Sequence, residues 1–127
     1  MTGKEIFERA MDLCALRAAE DSLPADTLDL QARSVGLLNV LMGELHGLNE
    51  RLMGMERPVA HVYGLEETVG LCEPICTCVL PYRLAALLIA EEDSELYTVL
   101  QSHAKEAKRS LLADGKTRRH GIVEVYG

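Results

Sequence analysis

Tyr82-Arg83-Leu84-Ala85-Ala86-Leu87-Leu88-Ile89-Ala90 is a stretch of nine residues with a single charge, Arg83. A helix that is apolar on every side is normally buried on every side, so this segment reads as the central element of a core. Its longest unbroken apolar run, Leu84 to Ala90, is far shorter than the ~20 residues a bilayer requires. Pro81 should kink or restart the helix after Leu80, because proline cannot donate to the preceding turn. Glu91-Glu92-Asp93-Ser94 ends the apolar stretch and supplies caps for a following helix. Arg83 needs a carboxylate or carbonyl groups if it is buried, since an unpaired interior charge is costly.

Amphipathic helices surround this rod in the sequence. Thr2 followed by Glu5 is a capping-box pattern, and behind it Phe7, Met11, Cys14 and Ala18 form a stripe widened by Ile6 and Ala10. That helix should run to about Glu20, where Asp21-Ser22-Leu23-Pro24-Ala25-Asp26 breaks it. A second, long helix spans about Leu28 to Met53, with Leu30, Leu37, Leu38, Leu41, Leu45, Leu48 and Leu52 within roughly one quadrant at 100° per residue. Gly36, Gly43 and Gly47 form a ridge on a different side, near Ala32 and Val40. Each glycine costs roughly 1 kcal/mol against alanine inside a helix. Close approach of another helix, simple tolerance, or a bend would each account for them.

Helical periodicity disappears between Gly54 and Gly70, and Val59-Ala60-His61-Val62-Tyr63 has the texture of a short extended strand. Ile122-Val123-Glu124-Val125-Tyr126-Gly127 repeats that texture. The two can pair with each other, or the tail can add to an edge on a neighbour. Helix resumes near Leu71, with Pro74 suited to a first turn. In the last helix, Leu96, Val99, Leu100, His103, Ala107 and Leu111 line one face, and Asp114-Gly115 stops it. The expected fold is therefore all-α: a compact domain of four or five helices over residues 1–115, with a central buried helix. A basic, then strand-like, tail follows at 116–127, and the minor extended component is residues 58–63 and 122–126.

A chain of 127 residues makes one domain, and an aromatic share of 4% requires an aliphatic core. The net charge of −7 argues against a general nucleic-acid or anionic-membrane binder. Charge is unevenly spread. Residues 58–104 carry seven acids and only Arg83, whereas residues 105–127 carry six bases (Lys105, Lys108, Arg109, Lys116, Arg118, Arg119) against three acids. An acidic body with a basic end could dock on copies of itself, or the bases could simply complement a helix dipole. With a polar start leading straight into an amphipathic pattern, a cytoplasmic location is expected, with all four cysteines reduced.

Chemistry-bearing residues do not converge in the sequence. Cys72, Cys76 and Cys78 cluster, but Cys-x-x-Cys is absent, and Cys14 and His61 lie elsewhere. Core packing is the preferred reading over metal or redox use. His46, His61, His103 and His120 are scattered, with His103 expected at the inner edge of the last helix. Neither a phosphate-binding glycine loop nor a nucleophile elbow is present. The expectation is a non-enzyme with no cofactor. Lys116-Thr117-Arg118-Arg119-His120 offers a weak nucleic-acid signal, and it keeps a DNA-binding or regulatory helical protein as the alternative.

The segment Val79-Leu80-Pro81-Tyr82-Arg83-Leu84-Ala85-Ala86-Leu87-Leu88-Ile89-Ala90-Glu91-Glu92-Asp93-Ser94-Glu95-Leu96 resembles a stretch of small prophage proteins encoded among virion structural genes. The opening Met1-Thr2-Gly3-Lys4-Glu5-Ile6-Phe7 and the closing Val125-Tyr126-Gly127 are similar to theirs as well. Arg83 and Ser94 depart from the pattern, which has glycine and proline at those places. The resemblance implies a head–tail connector or adaptor of a tailed bacteriophage, a helical subunit between portal and tail. It further implies residence in the bacterial cytoplasm and then in the virion, with portal or tail components as partners and a homo-oligomeric ring as an option. No catalytic residue is carried over. Subunit contacts are expected at Gly36, Gly43, Gly47, Arg118, Arg119, Val123, Val125 and Tyr126.

Overall fold

A computed structural model describes residues 1–18 and 27–126, and the side chains of 1–14 and 28–113. Five helices appear among them: α1 (Gly3–Ala18), α2 (Thr27–Met53), α3 (Glu73–Cys78), α4 (Leu80–Ile89) and α5 (Ser94–Tyr126). The fold is all-α, and α4 packs against each of the other four helices. Leu80, Leu84, Ala85 and Ala86 on α4 are fully buried. Around them close Ile6 and Ala10 from α1, Leu38, Leu41 and Leu45 from α2, and Leu96, Leu100 and Ala104 from α5.

Local chemistry explains where these helices begin. At α1 the capping box closes in both directions: Glu5 N–H donates to Thr2 Oγ1 at 3.2 Å, and Thr2 N–H donates to Glu5 Oε1 at 3.1 Å. The Thr2 backbone bond holds the Glu5 carboxyl below its ordinary pKa. That contribution is present above the unfolded carboxylate pKa and is lost as pH falls through the lowered one. Pro74 and Pro81 stand in the first turns of α3 and α4, where their missing N–H groups have no helical partner to lose. Asp93 Oδ1 accepts from Leu96 N–H at 3.0 Å and caps α5. Helix α2 ends on Gly54, whose φ of 72° is the left-handed turn that glycine adopts without strain.

Arg83 finds its partners across three helices. Its guanidinium forks onto Glu44 of α2 at 2.8 and 2.9 Å and donates to Gln101 Oε1 of α5 at 2.6 Å. Gln101 in turn donates to Tyr97 Oη at 3.0 Å. The one charge on the core helix is thus fully engaged, in the bidentate geometry that suits arginine and carboxylate.

The segment between α2 and α3 is a strap rather than a strand. Val62 exchanges two hydrogen bonds with the Asn39 carboxamide, at 2.8 and 2.9 Å, as a neighbouring strand would. Asn49, also on α2, accepts from Cys72 N–H at 2.8 Å. The Glu67 and Leu65 carbonyls accept from the first-turn N–H groups of Gly3 and Lys4, which have no partner inside the helix, so the strap also seals the start of α1. The sole bridge among the described residues joins Thr2 and Thr68. Replacing both Asn39 and Asn49 by alanine is expected to cost about 2 kcal/mol in total. It should also speed proteolysis within 54–63, which limited digestion followed by mass spectrometry would read.

Two expectations are corrected here. Residues 58–63 pair with no strand among the described residues: both backbone groups of Val62 go to the Asn39 side chain of α2, and Tyr63 N–H goes to the Glu67 carboxylate within the strap. Residues 116–126 are neither a separate tail nor extended: the backbone of α5 runs on through Gly115 to Tyr126. Glycine weakens a helix without stopping it, and the sequence after Gly115 holds no proline to force an end.

Candidate interaction surface

Helix α2 turns Leu38, Leu41, Leu45 and Leu48 inward and leaves its opposite face exposed among the described residues. Gly36, Gly43 and Gly47 lie on that outer face, and an added Cβ at any of them would meet nothing within 4 Å. Val40 between them is 66% exposed and Leu28 at the start of the helix is 74% exposed, while Ala32 is exposed too. Among the described residues nothing approaches the ridge closely, so packing between them does not account for its glycines. Gly43→Ala is accordingly expected to stabilise the isolated chain by up to about 1 kcal/mol, visible as a higher melting temperature by circular dichroism.

A second exposed feature is the strap. From Met53 to His61 every residue is exposed, Val59 at 48%, and Tyr63 just beyond is 89% exposed. The strap is nonetheless fixed at its ends: Arg57 N–H donates to Glu50 Oε2 at 2.9 Å, and Tyr63 and Gly64 N–H donate to Glu67 Oε2 at 2.6 and 2.7 Å. These pins were not foreseen. A carboxamide facing a remote backbone leaves no local pattern, although two asparagines within an otherwise leucine-rich helix are the available signal.

The remaining expected contact residues, Arg118, Arg119, Val123, Val125 and Tyr126, all fall on α5, and their side chains lie outside the described residues. They belong to a different helix from the glycine ridge.

The cysteines are mostly core residues. Cys14 and Cys76 are buried, Cys72 is half-buried and Cys78 is exposed. Burial pushes the Cys14 and Cys76 thiols up to about 11. Cys14 donates its S–H to the Ala85 carbonyl at 3.8 Å. At pH 8 roughly one part in a thousand of each buried thiol is ionised. A maleimide should therefore label Cys78 rapidly in the native protein and reach Cys14 and Cys76 only on unfolding, which a timed mass-spectrometric assay would show. Among the described residues, no group of three or more His, Cys, Asp or Glu could hold a metal ion.

His103 is exposed rather than inward. Its ring stacks on Tyr82, with centroids 5.4 Å apart, while Ala104 takes the buried position. Beside that stack a cavity of about 230 Å³ opens between α1 and the α3–α4 junction, lined by Arg9, Asp12, Leu13, Thr77, Pro81 and Tyr82. Its Thr77 hydroxyl already donates to the Glu73 carbonyl at 2.9 Å. Among the described residues no helix is long and apolar enough to cross a membrane.

No family model, curated protein or solved structure matches this chain.

Proposed function

We propose that this chain is a non-enzymatic structural subunit of a prophage virion, a head–tail connector or adaptor that works through contacts with portal or tail components. The observation that carries the reading is the uncovered outer face of α2. Leu28 and Val40 are exposed there, beside a glycine ridge that none of the described residues approaches within 4 Å of an added Cβ. Glycines on one helix face allow a partner's backbone to come close, and exposed aliphatic side chains gain about 25 cal/mol for each Å² that a partner covers. The resemblance of Val79–Leu96 to small prophage virion proteins supplies the kind of partner. Portal and tail components are other proteins, so the work asked of this subunit is recognition, and the basic second half of α5 offers a further contact.

The test is genetic and structural. Deleting the gene from an inducible prophage should give filled heads and free tails that do not join, scored by electron microscopy. Intact protein supplied in trans should restore joining, and Val40→Asp or Gly43→Arg should not, although both variants fold. Joined, infectious particles made without the protein would contradict the proposal. A salt-dependent shift of duplex DNA by the purified chain would favour a DNA-binding role instead.

A further inference from the structure

We propose that this chain docks on a second copy of itself, Tyr63 of one molecule entering the cavity between α1 and the α3–α4 junction of the other. The inference goes beyond the virion role and does not rest on it. It joins two features that the described residues of one chain leave unused: an outstanding aromatic ring and an open, largely apolar cavity.

Tyr63 is 89% exposed, yet the backbone that carries it is fixed. Its N–H and that of Gly64 both donate to Glu67 Oε2, at 2.6 and 2.7 Å. Val62 beside it is buried and clasped by the Asn39 carboxamide at 2.8 and 2.9 Å. The ring therefore stands out from an ordered turn, and covering it costs little further backbone ordering. Tyrosine suits such a contact, because it offers a large rigid area with only two side-chain torsions and a polar tip.

The cavity has the matching chemistry. Leu13, Pro81 and Tyr82 give it apolar walls, and Arg9 and Asp12 add one charge of each sign. Its volume is about 230 Å³, and an apolar cavity of ~150 Å³ is enough to bind benzene, so a phenol ring has room. Among the described residues neither Arg9 nor Asp12 makes a hydrogen bond or an ion pair. Tyr63 is not part of the lining, so its own chain does not fill the space with it.

Charge sets the orientation. Glu66 is exposed and makes no ion pair among the described residues. Its Oε2 lies 3.0 Å from where a Cβ on Gly64 would stand, directly beside Tyr63. A ring that enters the cavity brings this carboxylate to the mouth, where Arg9 supplies the opposite sign. The phenol hydroxyl is then the donor that Asp12 lacks. Ring and cavity are different patches of the surface, so the contact runs head to tail.

The experiment is sedimentation of the full chain up to about 1 mM, the range in which a small contact of this kind shows itself. The expected result is concentration-dependent self-association that Tyr63→Ser weakens at least tenfold. Arg9→Glu alone and Glu66→Arg alone should each weaken it as much, since each sets like charges together at the cavity mouth. Mixing those two variants should restore association, because each cavity then meets the opposite charge beside the other chain's tyrosine. Combining both changes in one chain should restore it as well. All three positions are exposed, and unchanged thermal melts would show that each variant folds. A chain that stays monomeric throughout, Tyr63→Ser associating as the intact chain does, or failure of the mixed variants to associate would overturn the contact. None of these results bears on whether heads and tails join.

Discussion

Leu84→Ala is expected to destabilise the protein by about 3 kcal/mol and to lower its melting temperature by roughly 10 °C. Leu84 is fully buried, and it sits on the helix that touches all the others. Its removal leaves a hole walled by side chains from several helices, none of which can move in without leaving its own neighbours. The comparison is Val99→Ala on α5, where the side chain is 46% exposed and the change should lie within about 0.5 kcal/mol. Chemical denaturation of both variants checks the contrast. Similar losses at the two positions would mean that α4 is no more central than the surface of α5.

The second large effect comes from the polar node, and it should be asymmetric. Glu44→Ala leaves the Arg83 guanidinium, whose side chain is 16% exposed, without its bidentate partner. The expected cost is about 2 kcal/mol, because the remaining charge is largely screened from water by protein and is left only Gln101. Arg83→Met should cost about half as much or less. Glu44 is 43% exposed and can hydrate its freed carboxylate, while a methionine fills much of the space left by the arginine stem. Stability measured for the two single variants and the double variant reads the asymmetry directly. Equal costs would mean that packing of the arginine stem, not an orphaned charge, dominates the site.

Most of the fold was readable in the chain because it is built from local signals. The Thr2–Glu5 capping box, the leucine periodicity of α2 and the all-round apolar run before Glu91 each depend on residues within a few turns, and each became a helix close to its expected limits. Where the reading went astray, the deciding contact was distant or absent. Val59–Tyr63 has strand chemistry, yet Val62 bonds to Asn39 on α2 and Tyr63 to Glu67, and no sheet forms among the described residues. Residues 122–126 have strand chemistry too, but they follow a helix that nothing terminates. On α5 Leu96, Leu100, Ala107 and Leu111 face the core as expected, but Val99 and His103 do not: His103 is exposed and stacks on Tyr82, and small Ala104 takes the buried position. The partner of Arg83 could not be named from sequence, since Glu44 lies thirty-nine positions away on another helix.

The contact surfaces were legible only in part. The glycine ridge could be seen as unusual, but whether it faced a helix of the same chain or open solvent depended on the path of the strap and of α5.

The account stands on α4 being the interior axis, with the outer face of α2, the strap and α5 left to meet other molecules. Native-state hydrogen exchange resolved by residue tests this most directly. The amides of Leu84 to Leu88 should exchange only through global unfolding, at the free energy found by chemical denaturation, while those of residues 54–61 exchange orders of magnitude faster. Exchange at Leu84–Leu88 as rapid as in the strap would contradict an interior α4, and the surfaces assigned to partners would fall with it.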